Sequence, residues 1–121
     1  MKMITEQDFD KEVLQSKLPV FTCFVTRWCH SCYPTCLFAD ELEKAYHDKV
    51  KFVRMDVGEI PHISAGHRII AVPSIFLFKE SQPVKTLLGL QEPQSLKRLL
   101  ENVIEKDELP QPEELGESPE A

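Results

Sequence analysis

The sequence predicts an α/β fold built around a mainly parallel sheet. Short segments rich in β-branched and aromatic residues alternate with longer segments whose apolar residues recur at helical spacing. Because strands and helices alternate, the early strands are expected to be parallel and joined by right-handed crossovers. The last two strand-like segments are separated only by a tight link, which predicts a hairpin and an antiparallel edge. The predicted order is α-β-α-β-α-β-β-α, with a further short strand at residues 1–4.

The predicted strands have the composition of a sheet interior. The first, "LPVFTCFVT" at 18–26, is apolar, β-branched and aromatic, and it is too short for a buried helix. The second, "VKFVRMDV" at 50–57, is largely apolar on both faces, as is typical of an interior strand. The hairpin is predicted from "SIFLFKE" at 74–80 and "QPVKTLLG" at 82–89, with its link around 81–83.

The predicted helices differ in length and in how they begin. They cover residues 5–15, about 29–47, 59–68 (a short helix or an irregular crossover) and 92–106. Thr5 is the expected N-cap of the first, and Pro93 occupies the first turn of the last, where proline is tolerated. The apolar side of the long helix is expected at Leu37, Phe38, Leu42, Ala45 and Tyr46.

The charge is unevenly distributed and divides the chain into one domain, residues 1–106, and an acidic tail, residues 107–121. The tail carries six acids, three prolines and no Lys or Arg, which leaves 14 acids and 14 bases in the domain. This composition predicts a disordered tail that either solubilises the protein or binds a partner. A neutral domain with an acidic tail argues against nucleic-acid binding.

The lack of a long apolar run and of a secretory signal predicts a cytoplasmic protein, and we expect it to be a monomer. No run approaches the roughly 18 apolar residues of a membrane span, and the polar N-terminus lacks the apolar segment of a secretory signal. In a reducing compartment, closely spaced cysteines indicate redox or metal chemistry more often than structural disulfides.

The stretch "RWCHSCYPTC" contains three of the four cysteines within eight residues. Cys29 is predicted where a strand ends and a helix begins, at the edge of the sheet where α/β proteins place their sites. The free amides and dipole of a helix N-terminus favour a thiolate there. Cys32 lies about one turn further on, close enough to form a disulfide with Cys29. Such a pair supports two-step thiol–disulfide exchange.

Three motifs together make the sequence resemble the thioredoxin family. "WCHSC", Trp28–Cys32, is similar to the WCxxC active site of that family. "VPS", Val72–Ser74, precedes a strand about 40 residues later, and Gly89 follows the last strand. The resemblance covers roughly residues 1–106. It implies the thioredoxin fold, with a central mixed four- to five-stranded sheet flanked by helices, and a protein disulfide oxidoreductase.

The resemblance also implies a role for each matching residue. Cys29 is the exposed nucleophile, Cys32 is the buried resolving thiol, and Trp28 walls the site. Pro73 is cis and presents the backbone of Val72 to the substrate peptide. The dithiol is itself the electron carrier, so no bound cofactor is expected. The implied partners are protein disulfides and a reductase that recharges the pair in cell redox homeostasis.

The residues between the cysteines depart from the family pattern. His30 and Ser31 stand where typical thioredoxins have Gly-Pro. A cationic histidine beside a thiolate stabilises the reduced form, which predicts a potential above about −270 mV and nearer −200 to −230 mV. Alternatively, His30 is an exposed loop residue with little effect.

Cys23 stands where the family usually has a buried aspartate, and Arg54 lies near the position of that carboxylate's lysine partner. Arg54 is therefore expected to lack a buried counter-charge. Cys23 is either a small apolar filler or a tuning residue that joins the redox chemistry by pairing with Cys32.

Cys36 is predicted to belong to the core. Its Cβ atom should lie about 5–6 Å from that of Cys32, whereas a disulfide needs about 3.5–4.5 Å. Cys29 is further away still. Leu37 replaces the kinking proline of the family's long helix, and Pro34 lies in the first turn, so a straighter helix is expected.

Two alternatives to an oxidoreductase remain open. Cys29, His30, Cys32 and Cys36 offer four metal ligands, although structural zinc sites usually draw ligand pairs from separate segments and the sequence has no second pair. The other alternative is a peptide-binding module with the same fold, in which the cysteines are redox-idle.

Overall fold

The structure is a computed structural model that describes the backbone of residues 1–108 and the side chains of residues 1–104. A five-stranded mixed sheet has the order β1-β3-β2-β4-β5. Its strands are β1 Lys2–Met3, β2 Val20–Val25, β3 Lys51–Asp56, β4 Ser74–Lys79 and β5 Gln82–Leu88. The first three strands are parallel, and β4 runs antiparallel to both β2 and β5. The predicted α/β fold class is confirmed.

The helices are α1 Cys32–Tyr46, α2 Pro61–Gly66 and α3 Pro93–Glu108, with a π-helical turn at Asp10–Leu14 and a 3-10 turn at Val57–Glu59. The predicted first helix is therefore reduced to a turn. The expected N-cap role of Thr5 is wrong, because the turn begins at Asp10 after Phe9, and the Thr5 hydroxyl donates to the Asp8 carboxylate.

The long helix begins three residues later than predicted. Residues 29–31 form a turn in which the N–H of Cys32 donates to Cys29 O and the N–H of Tyr33 donates to His30 O, each at 3.3 Å. Once the helix starts at Cys32, the face toward the sheet is set by positions three and four apart. The buried residues are Cys32, Thr35, Cys36 and Ala39. The predicted face is partly wrong, since Leu37 and Ala45 are exposed.

The sheet buries apolar residues on both faces, as β2 and β3 predict. Phe21, Cys23 and Val25 face α1 and α3 and form one core cluster with residues of those helices. Phe24 and Met55 point to the other face and belong to a second cluster. Arg54 is the register partner of Cys23, so strand alternation places it on the face covered by α1 and α3.

The β4–β5 hairpin and the residue after β5 fix the position of the Val72–Pro73 turn. The link between β4 and β5 is Glu80–Ser81, where both residues have positive φ, so Pro83 lies in the edge strand and not in the link. Gly89 has φ 82° and its N–H donates to Pro73 O at 2.7 Å. This hydrogen bond ties the end of β5 to the turn before β4.

The C-terminal helix runs two residues past its predicted end. It therefore includes the first two residues of the predicted acidic tail, and the remainder of that tail lies outside the described residues. Within residues 1–108, no helix combines the length and the apolarity needed to cross a membrane.

Candidate active site

The cysteine pair lies between the carboxyl end of β2 and the start of α1. Cys29 and Cys32 form a disulfide with their Cα atoms 5.3 Å apart, as the sequence analysis predicts. The N–H of Cys29 donates to Thr26 O at 3.3 Å, which turns the chain after the strand ends. Cys32 is the first residue of α1, and Ser31 is its N-cap. The pair therefore straddles the helix N-terminus, where free amides and the helix dipole favour negative charge.

The two sulfurs of this disulfide differ in access. Cys32 is only 4% exposed and belongs to the core cluster, whereas Cys29 is partly exposed at its border. The Ser31 hydroxyl lies 3.5 Å from Cys29 Sγ, and His30 is exposed. An incoming sulfur can therefore approach Cys29 more readily than Cys32.

The Val72–Pro73 peptide bond is cis, as the resemblance implies. Val72 is half-buried and packs against the same core cluster as Cys29, while Pro73 is buried. The Ser74 hydroxyl donates to Ala71 O, which closes the turn. Cys29 and the Val72–Pro73 turn therefore pack against the same core cluster.

Trp28 is 84% exposed. It lines a shallow hollow of about 290 Å³ together with Arg27 and Glu59, and neither cysteine lines that hollow. The exposed indole is thus available to a partner beside the disulfide.

A second hollow, of about 300 Å³, contains the cysteines. Its lining includes Cys29, Cys32, Tyr33, Cys36, Arg54 and Asp56. Sequence reasoning did not single out Tyr33 or Asp56. Asp56 could have been found because it ends β3 and lies opposite Val25 in the parallel register, which puts it at the same sheet edge. Its carboxylate accepts a hydrogen bond of 2.8 Å from the Gly58 N–H.

Cys23 and Cys36 lie close enough that each thiol shifts the pKa of the other. Both belong to the core cluster, where apolar packing was expected for them. In this structure Cys32 pairs with Cys29, and the alternative pairing of Cys23 with Cys32 is not formed. The contact of Cys23 with Cys36 was not considered from sequence, although both lie on faces that strand and helix periodicity point inward.

The two thiols of this contact are not equivalent. The hydrogen bond from Cys23 and the nearby Arg54 guanidinium lower the pKa of Cys36 to about 7. The same hydrogen bond and burial raise the pKa of Cys23 above its ordinary value. If one of the two ionises, it is therefore Cys36, with Cys23 as the S–H donor.

Arg54 faces this pair from the neighbouring strand, where it is the register partner of Cys23. Among the residues whose side chains are described, its Nε is buried and has no hydrogen-bond partner. A buried donor without an acceptor is costly, so this N–H is free to donate to an acceptor such as a Cys36 thiolate.

The metal-site alternative has little geometric basis in this structure. Within the described part of the chain, no three His, Cys, Asp or Glu side chains are grouped so that they could hold a metal ion. Of the four candidate ligands, Cys29 and Cys32 are joined to each other and Cys36 is buried behind them.

Comparison with known proteins identifies the family. The thioredoxin family profile matches residues 1–102. A thioredoxin of Rickettsia felis is 39% identical over 93 residues, which cover 77% of this chain and 89% of the relative. A thioredoxin of Rickettsia bellii is 34% identical over 101 residues, 84% of this chain and 96% of the relative. Thioredoxin 1 of Synechococcus elongatus is 34% identical over 86 residues, 71% and 80% of the two chains. The chain therefore belongs to the thioredoxin family and is a thiol–disulfide oxidoreductase.

Proposed function

We propose that the protein exchanges disulfides with protein substrates through Cys29 and Cys32. In the reducing direction, the Cys29 thiolate attacks a substrate disulfide, and one substrate sulfur leaves as a thiolate. Cys32, as a thiolate, then attacks Cys29 Sγ and releases the second substrate sulfur. Two electrons pass to the substrate, and the Cys29–Cys32 disulfide remains. The observation that carries the proposal is the unequal access of these two sulfurs.

The substrate is proposed to bind on the surface around Cys29. Trp28 and Tyr33, 84% and 70% exposed, supply apolar contact area. Val72 would pair its backbone with an extended substrate segment, and the cis Pro73 fixes the direction of that backbone. Large apolar side chains exposed on either side of an accessible disulfide fit an unfolded or extended protein segment better than a small molecule.

Three residues are proposed to tune the pair. His30 would stabilise a reduced, thiolate-bearing site by its charge. The Ser31 hydroxyl, 3.5 Å from Cys29 Sγ, can donate to the same thiolate. Cys23, which replaces a carboxylate expected in this family, would make a poorer proton acceptor for Cys32 and slow the resolving step.

The proposal includes the setting in which this chemistry would operate. Residues 1–106 would form the catalytic unit, and the acidic tail would add solubility. The protein would be a cytoplasmic monomer without a bound cofactor, and a disulfide reductase would recharge its dithiol. Relatives named thioredoxin that match most of the chain support this setting.

Reduction of insulin disulfides by dithiothreitol, followed by turbidity, tests the proposal. Wild-type protein is expected to accelerate the reaction, and Cys29→Ser and Cys32→Ser are expected to remove the acceleration. Because Cys32→Ser retains the nucleophile but not the resolving thiol, it should accumulate a mixed disulfide with the substrate. Cys29→Ser should not.

Cys36→Ala is the matched control, since it removes a thiol from the same helix outside the Cys29–Cys32 pair. It is expected to retain acceleration. Unchanged activity in Cys29→Ser would contradict the assignment of the nucleophile. A Cys29→Ser/Cys32→Ser variant that captures the same partners without any redox activity in the wild type would instead support a redox-idle binding module.

A further inference from the structure

We propose that Cys23 and Cys36 form a second redox dithiol, which a small hydroperoxide oxidises to a disulfide inside the fold. This activity is separate from exchange at Cys29 and Cys32 and does not depend on it. It assigns a chemical role to the two thiols that the disulfide leaves free.

The proposal rests first on the contact between two separate elements. Cys23 is on the central strand β2 and Cys36 is on α1, and both are buried in the same core cluster. Arg54 is the register partner of Cys23 and lines the same hollow as Cys36, so both thiols neighbour one guanidinium. A disulfide needs the sulfurs to approach to about 2.05 Å. Rotation about Cα–Cβ moves each sulfur without moving the backbone, and the two Cα atoms must lie within about 7 Å for the bond to close. By contrast, Cys32 is four residues from Cys36 on one helix, at a spacing that disfavours a disulfide.

The exposure of each thiol determines which of them meets the oxidant first and how large that oxidant can be. Cys36 is 8% exposed and lines the 300 Å³ hollow, whereas Cys23 is 0% exposed and does not line it. A protein disulfide cannot reach so restricted a sulfur, but a molecule the size of hydrogen peroxide can enter the hollow. The oxidant is therefore expected to meet Cys36 first and Cys23 only through Cys36.

Arg54 supplies the second element of the site. It lines the same hollow, and its buried Nε–H has no acceptor among the side chains described. An N–H in this position can donate to the Cys36 thiolate or to a peroxide oxygen as the O–O bond breaks. The lowered pKa of Cys36 is consistent with this placement.

The reaction proceeds in two balanced steps. The Cys36 thiolate attacks one oxygen of the hydroperoxide, forming a sulfenic acid and releasing hydroxide, or an alkoxide from an organic hydroperoxide. Cys23 then attacks the sulfenic sulfur, forming the Cys23–Cys36 disulfide and releasing water, with the Cys23 proton going to the departing oxygen. Two electrons reduce one peroxide, and both thiols are oxidised.

The experiment uses the full chain with Cys29–Cys32 already oxidised, so that only two thiols remain free. The protein is treated with increasing hydrogen peroxide, quenched, unfolded, alkylated and analysed by mass spectrometry. We expect both free thiols to disappear together, with a mass loss of two hydrogens and a linked Cys23–Cys36 peptide that dithiothreitol reverses. Independent oxidation of the two thiols, intermolecular dimers, or Cys36 sulfinic acid without a linked peptide would overturn the proposal.

Single variants order the two steps. Cys23→Ala should leave a dimedone-reactive sulfenic acid at Cys36, because the resolving thiol is absent. Cys36→Ala should slow loss of the Cys23 thiol at least about tenfold, because the accessible thiolate is absent. Equal loss of the Cys23 thiol in wild type and Cys36→Ala would refute the order. Far-UV circular dichroism checks that each variant is folded.

Cys29→Ala/Cys32→Ala separates this proposal from the proposed function. It is expected to form the Cys23–Cys36 disulfide under peroxide while showing no insulin reduction. Loss of that disulfide in this folded variant would show that the oxidation is relayed through Cys29 and Cys32, which contradicts an independent second dithiol.

Discussion

The two cysteine pairs lie on the same side of the sheet but differ in access and in neighbours. The outer pair, Cys29 and Cys32, has one partly exposed cysteine and exposed apolar side chains nearby. The inner pair, Cys23 and Cys36, is enclosed by the core, and Arg54 is its charged neighbour. The same functional group can therefore serve two kinds of reaction partner, because access selects a protein disulfide for one pair and a small oxidant for the other.

Substituting alanine for each pair of cysteines in turn should give the largest difference in the rate of insulin reduction. Cys29→Ala/Cys32→Ala should lower insulin reduction to the rate of dithiothreitol alone, because the sulfur that attacks the substrate is gone. Cys23→Ala/Cys36→Ala should lower the rate far less, only by what is lost when the weak proton acceptor Cys23 is removed. A comparable loss in both variants, with both folded, would show that the inner pair takes part in exchange and would end the distinction.

The pH dependence of alkylation should separate the pairs by charge. In oxidised protein only Cys23 and Cys36 are free, so iodoacetamide reports on the inner pair. The thiolate is the nucleophile, so the rate at Cys36 should rise with pH and be half-maximal at about 7. Cys23 and Arg54 lower this pKa, whereas Asp40 opposes them. Asp56 and the oxidised disulfide share the hollow.

Substitution of Arg54 tests the cause of that pKa. Arg54→Met removes a neighbouring cation, so the Cys36 profile should move to higher pH by on the order of one unit. Arg54→Lys keeps the charge and should move it less. Arg98→Met, on the exposed face of α3, is the control and should leave the profile in place. A profile unchanged by Arg54→Met would mean that Arg54 does not stabilise the thiolate.

The outer pair could be predicted from sequence because its determinants are local. A strand end, a helix start and a three-residue spacing fix Cys29 and Cys32 within one short segment. The Val72–Pro73 turn could be found only through resemblance, since no local rule connects it to the cysteines. The contact between Cys23 and Cys36 depends on how α1 crosses β2. The apolar face predicted for α1 included Leu37 and Ala45, which are exposed, so it did not direct attention to Cys36 facing β2.

Stability should depend more on the inner pair than on the exposed surface near the outer pair. Cys23→Ala removes a fully buried sulfur from a packed strand and should lower the free energy of unfolding by about 1 kcal/mol. Trp28→Ala should change it by no more than about 0.5 kcal/mol, because the indole is 84% exposed. Urea unfolding under reducing conditions measures both. A larger loss for Trp28→Ala would mean that the indole supports the fold as well as the substrate surface.

The smallest expected effect concerns His30, which lies between the outer cysteines and is exposed. Its cationic form stabilises a neighbouring thiolate, so His30→Gln should lower the potential of the Cys29–Cys32 pair by on the order of 20–30 mV. Titration in glutathione buffers, read by thiol trapping, reports each pair separately. His47→Gln, at the far end of α1, is the control. The inner pair should respond less, because His30 adjoins Cys29 in the chain and does not line the hollow that contains Cys36. Equal shifts in both pairs would mean that the two disulfides are thermodynamically linked, so that oxidation of one changes the poise of the other.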